Sequence, residues 1–127
     1  MTDNVIASDV FARLQQATAS QPAQLVELCR EYLTEAGRTL AQLRKAFTLK
    51  QADELRNRAH YLRGSSMLVG ATHVTECCAS LEAMGRSGDF DQTERTIEEM
   101  SAALDAVKQE LVKILGPEVI PAKESAV

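Results

Sequence analysis

Apolar residues recur through most of this chain at intervals of three and four, and no stretch shows the strict alternation of a half-buried strand. The most regular run is Ile97, Met100, Leu104, Val107, Leu111 and Ile114, which fall on one side of a helix turning about 100° per residue. Leu25, Cys29, Tyr32, Ala36, Leu40, Leu43 and Phe47 draw a second stripe. Leu55, Ala59, Leu62, Ser66 and Val69 draw a third, and Val74, Cys77, Leu81 and Met84 a fourth. A helix with one apolar face has to bury it against another element, and the links between these four are short. The expected fold class is therefore all-α, an antiparallel up-down four-helix bundle. Ser8 followed by Val10, Phe11 and Leu14 adds a short accessory N-terminal helix.

The boundaries follow from local chemistry. Pro22 fits the first turn of the second helix, where a missing N–H costs nothing. Thr48 with Gln51 has capping-box spacing and is expected to open the third. Gly70 suits the left-handed residue that closes it, Gly85 and Gly88 mark the end of the fourth, and Asp91 with Glu94, behind Phe90, cap the fifth. Gly116 and Pro117 stop that last helix, giving one domain over residues 1–116 and a flexible C-terminal tail over 117–127. At 127 residues the chain can bury one core but hardly two, and with aromatics at 4% and no Trp that core must be aliphatic.

A net charge of -4 argues against nucleic acid as a partner. No apolar run is long enough to span a bilayer, and the N-terminus lacks the basic start and apolar centre of a signal peptide, so no membrane is expected and the location is read as cytoplasmic. Three cysteines, two of them adjacent, suit reduced thiols better than a disulfide framework.

One helix face carries unusual chemistry. Opposite the Leu55–Val69 stripe lie Asp53, Arg56, Asn57, His60, Arg63, Gly64 and Met67. A lone outward histidine is ordinarily solvated surface. Here Arg56 precedes His60 by four and Arg63 follows it by three, so both guanidinium groups share its face and favour an anion placed on the ring. Gly64, one turn on, costs about 1 kcal/mol against alanine in a helix interior, which suggests room kept for something to approach. Met67 reads equally as scattered surface or as an apolar docking contact.

The run AHYLRGSSMLVGA resembles the signature of histidine-containing phosphotransfer (HPt) domains, carried here by Ala59, His60, Tyr61, Leu62, Arg63, Gly64, Ser65, Ser66 and Gly70. The departure is Arg63, where lysine is usual; arginine keeps the charge but is bulkier and can bind bidentately. The resemblance implies a free-standing phosphorelay intermediate of a two-component signalling pathway, carrying a phosphoryl group on His60 between aspartyl-phosphate receiver domains. It implies as partners the receiver domains of response regulators or hybrid histidine kinases. Arg63, Gly64 and Arg56 would act beside His60 in transfer, and Asn57, Met67 and Asp53 would meet the partner. It implies no cofactor of the chain's own, with Mg²⁺ supplied by the partner receiver. A single outward site needs no dimer, so a monomer is expected. The alternative is a pseudo-HPt adaptor that binds a receiver or kinase without exchanging phosphate, or a purely structural interaction bundle.

Other chemistries find less support. His73 and Cys77 stand four apart, but they are two ligands only and Cys77 is on a core stripe, so no metal site is expected. Neither histidine sits in the ExxH pairs of two-metal bundles. Ser65 and Ser66 turn toward the core and lack a base and oxyanion site. There is no Gly-rich phosphate loop, hence no ATP site and no kinase activity of its own.

Overall fold

The structure is a computed structural model and describes residues 5–122. Those residues form α1 (Ser8–Ala17), α2 (Pro22–Thr48), α3 (Ala52–Val69), α4 (Thr72–Ser87) and α5 (Thr93–Leu115), followed by a 3₁₀ turn over Pro117–Val119. Among the described residues there is no strand. The long helices pack in a ring, α2 on α3, α3 on α4, α4 on α5 and α5 back on α2; α3 and α4 share the most extensive contact. α1 lies against α3 and, more lightly, α2.

The centre is aliphatic, with Leu43, Leu55, Leu62, Leu81, Ile97, Met100 and Leu111 fully buried. The stripes of α2 and α3 are buried as their spacing requires, apart from Leu40 and Phe47, which are half-buried. On α5 the pattern outruns the core, leaving Ile114 exposed. The α4 stripe is displaced: Met84 is half-buried, while Cys78, Glu82 and Gly85 join Val74, Cys77 and Leu81 in the interior. Inside the core, the Tyr32 and Ser66 hydroxyls bond to each other at 2.7 Å, so two buried polar groups joining α2 to α3 satisfy one another.

Several boundaries differ from expectation for physical reasons. Thr48 does not open α3 but ends α2, and the N-cap of α3 is Gln51, with no side-chain bond. The link serves the end of α2 instead: the Gln51 N–H reaches back to the Ala46 carbonyl at 2.9 Å across Lys50, which takes a left-handed φ of 56°. That conformation is costly for a side-chain residue. Lys50 is held there with its Nζ over the Phe47 ring at 4.4 Å and near Phe90 at 5.2 Å. Phe90 thus joins a stack on Phe47 (6.3 Å between centroids), and α5 starts at Thr93 after Gln92 with no side-chain cap from Asp91. Gly70 and Gly88 both take left-handed φ values, 88° and 77°, and end α3 and α4. Gly85 does not end α4; it lies inside that helix, buried.

The segment expected as a flexible tail from residue 117 begins folded. Gly116, at φ 95°, turns the chain so that the Pro117–Val119 turn packs on α2 and α5. Val119 is fully buried there, and Arg30 Nε donates to the Glu118 carbonyl at 3.0 Å. Residues 123–127 of the expected tail lie outside the described residues. Val119→Ala should accordingly cost about 1–3 kcal/mol in urea unfolding, as for any buried aliphatic cut back to a methyl. An unchanged midpoint would mean that this turn is not packed in solution.

Candidate functional site

α3 presents His60 outward while its apolar stripe is buried, because an 18-residue helix with one buried stripe leaves the opposite face in water. The His60 side chain is 67% exposed. Its Nδ1 is 2.6 Å from Oε2 of Glu82 on α4. A carboxylate can only accept, so Nδ1 carries the proton and Nε2 keeps its lone pair. The Glu82 side chain is only 8% exposed, and its second oxygen, Oε1, lies 3.1 Å from Arg63 Nε. A carboxylate taken this far from water must have both oxygens answered, and here the imidazole and the guanidinium do so.

What brings Glu82 to the ring is Gly85, one turn further along α4. A Cβ at Gly85 would stand 2.7 Å from the Ala52 carbonyl oxygen and from Arg56 N and Cβ, so α3 and α4 approach this closely only because that atom is missing. The same approach buries Cys78, whose thiol is pushed up to about 12, first by burial, then by Cys77 and Glu82, with Arg63 opposing. Burial also pushes Cys29 up to about 11. Neither thiol is a nucleophile near neutral pH.

The residues expected from sequence to share this face do share it, with two corrections. Arg63 is not a free cation above the imidazole: its Nε is engaged with Glu82, and its side chain is 37% exposed. Arg56 turns to Asp53 at 3.9 Å, a loose and largely solvated pair, and its backbone belongs to the seam with Gly85. Asn57, Asp53 and Met67 are exposed. A Cβ on Gly64 would meet nothing within 4 Å, so the fold itself does not require glycine there. Gly37 on α2 is equally open; what distinguishes Gly64 is its place one turn from His60.

Glu82 is the residue that sequence reasoning passed over. Its signal was a charged residue adjoining the buried positions Cys78 and Leu81 on α4, four and one before it. Among the described residues, the one trio of potential metal ligands, His73, Cys77 and Glu99, lies away from His60 at the α4–α5 seam.

A comparison with curated proteins finds no match. Among solved structures, the chain resembles histidine-containing phosphotransfer protein B from Pseudomonas aeruginosa, with a TM-score of 0.83 and 23% sequence identity, covering 90% of this chain and 96% of that one. At that identity the likeness speaks for the fold. Against protein-family models, the Hpt domain matches over residues 27–110, a span that contains the α3–α4 seam with His60, Arg63 and Glu82. The chain belongs to the Hpt domain family.

Proposed function

We propose that the chain carries a phosphoryl group on His60 Nε2 between aspartyl-phosphate receiver domains. The observation that carries this reading is the exposed ring whose Nδ1 is held by Glu82, leaving the Nε2 lone pair turned to solvent. In loading, that lone pair attacks phosphorus of the receiver's aspartyl phosphate in line. The N–P bond forms as the P–O bond to aspartate breaks, and the aspartate leaves as its carboxylate. Positive charge that develops on the ring is met by Glu82 across Nδ1–H. Delivery to a second receiver is the reverse step. Arg63 supports the equatorial oxygens through the guanidinium nitrogens not engaged with Glu82, and Arg56 adds positive potential. Gly64 admits the receiver's loops, with Met67, Asn57 and Asp53 as contact residues.

We assign the Mg²⁺ to the receiver, because the carboxylate nearest the ring, Glu82, is already committed to His60 and Arg63. The reading also takes the chain as a monomer acting in the cytoplasm; among the described residues no helix is long and apolar enough to cross a membrane. It takes the helical ring as the antiparallel up-down bundle, with α1 as an accessory. The pairs Arg44–Glu98 and Arg30–Glu118 support this, running in opposite directions along the chain.

The test is to mix the chain with a phosphorylated receiver and look for label that is labile in acid and stable in alkali. If no receiver of the source organism transfers label, the chain is a binding adaptor and the carrier reading fails. Arg63→Ala should slow transfer about tenfold to a hundredfold, less than a fully dry oxyanion donor because the guanidinium is partly solvated. An unchanged rate removes Arg63 from the mechanism. Glu82→Ala should slow transfer by a similar factor of roughly ten to a hundred, as loss of an orienting partner does elsewhere. The ¹⁵N signals of His60 should then show the Nδ1–H tautomer losing its predominance, whereas Glu82→Gln, which can still accept from Nδ1, should preserve it. Equal tautomer populations in wild type and Glu82→Ala would show that Glu82 does not set the proton.

A further inference from the structure

At the other end of α4, three side chains of metal-ligating type converge without any bond among themselves. His73 and Cys77 stand one turn apart on α4, and Glu99 faces them from α5. One donor atom from each lies within 4.8 Å of the others. His73 and Glu99 are exposed and Cys77 is buried, so the sulfur sits one layer beneath an imidazole and a carboxylate that can both move. Among the described residues none of the three makes a side-chain hydrogen bond or ion pair to the rest of the protein. A cleft of about 490 Å³ opens beside them, lined in part by Thr72, His73 and Glu76. His73 is the one member of the trio that lines this cleft, and it shares the lining with a second carboxylate, Glu76.

We propose that His73, Cys77 and Glu99 form a binding site for one Zn²⁺ ion at the α4–α5 seam, its fourth position open to water or to Glu76. Ligand atoms on a tetrahedral zinc are about 3.3–3.8 Å apart, so the trio must close by roughly 1 Å, within the swing of two exposed side chains. One imidazole nitrogen, one sulfur and one carboxylate oxygen suit a borderline divalent ion such as Zn²⁺ or Co²⁺ and do not suit Mg²⁺ or Ca²⁺, which take oxygen. Cys77 binds as thiolate and its proton goes to solvent. In the ion-free chain it is a thiol, pushed up to about 11 first by burial and then by Glu99 and Glu76, and a dication among these groups offsets the carboxylates. None of the three ligands is among the side chains that hold His60: on α4, Cys77 and His73 lie five and nine residues before Glu82, about 7 and 13 Å along the axis. Its effect is to tie α5 to the helix that carries Glu82.

The test titrates the reduced full chain, without a metal-binding tag, with Co²⁺ alone. One equivalent should raise a thiolate-to-cobalt charge-transfer band in the near ultraviolet together with the visible bands of a four-coordinate ion, and Zn²⁺ should abolish both. Cys77→Ser should lose the charge-transfer band and Cys78→Ser should keep it. His73→Gln and Glu99→Gln change exposed side chains and so test the site even if Cys77→Ser does not fold; each should weaken Co²⁺ binding at least tenfold. Absence of a saturable band at one equivalent overturns the proposal. So does a band that survives Cys77→Ser, or binding left unchanged by both His73→Gln and Glu99→Gln.

Discussion

Replacing His60 by Gln should abolish the acid-labile, alkali-stable label that the proposed carrier would take from a phosphorylated receiver, while the thermal midpoint should stay within a few degrees. The loss should be complete because no other group on this face can hold a label of that kind: the guanidinium groups, glycine, amide and thioether take none, and an acyl phosphate on Asp53 or Glu82 would be labile in alkali. The fold survives because the ring is 67% exposed, and exposed substitutions cost about 0.5 kcal/mol or less. Gln suits the test better than Ala, since its NH₂ can still donate to Glu82 and leaves no buried carboxylate half answered. Label persisting on His60→Gln would transfer the chemistry to another residue, His73 being the other histidine to examine.

Two glycines, Gly64 on α3 and Gly85 on α4, should respond to alanine with opposite signs. At Gly85 the new Cβ would press on the Ala52 carbonyl and the Arg56 backbone at 2.7 Å, and backbone atoms in a helix cannot step aside. Overpacking of this kind costs about 1–3 kcal/mol, more than the roughly 1 kcal/mol that alanine returns in helix propensity. Gly85→Ala should therefore lower the urea midpoint. It should also slow phosphoryl transfer, because α4 moves outward and takes Glu82 from His60. At Gly64 the new Cβ meets nothing within 4 Å, so Gly64→Ala should gain up to about 1 kcal/mol of stability. Transfer should nevertheless fall, because the added methyl would stand where the receiver is proposed to approach. Stability rising in both variants would mean that the α3–α4 seam at Gly85 has room for a methyl group. Full transfer by Gly64→Ala would mean that the receiver does not dock over it.

The helices and the outward histidine were legible because each rests on a repeated signal. Five residues on α3 at intervals of four and three point inward, and the opposite face then follows from geometry alone. Gly70 was legible for a similar reason, since a left-handed closing residue selects glycine. The support of the site was not. Glu82 belongs to a different helix from His60, and a single acid on an amphipathic helix looks like solvated charge until its neighbours are known. Gly85 was taken for a terminator because another glycine follows three residues later; its real role, a contact with α3, has no local signature. Thr48 and Gln51 had capping spacing, but the closure of α2 through Lys50 claimed those backbone groups first. Val119 looked like tail because one apolar residue after Gly-Pro shows no period. The trio at the α4–α5 seam showed two ligands in sequence, and the third comes from across the fold.

The side chains proposed to handle the phosphoryl group lie between Ala52 and Ser87, on two successive helices joined by a two-residue turn. On the proposed reading the chemistry is confined to one helical hairpin and so is modular, with α2 and α5 as a buttress that sets stability. Substitutions on the outer faces of those two helices, Glu99 apart, should thus leave transfer unchanged, and on that reading partner choice could be rewritten on the hairpin without rebuilding the rest.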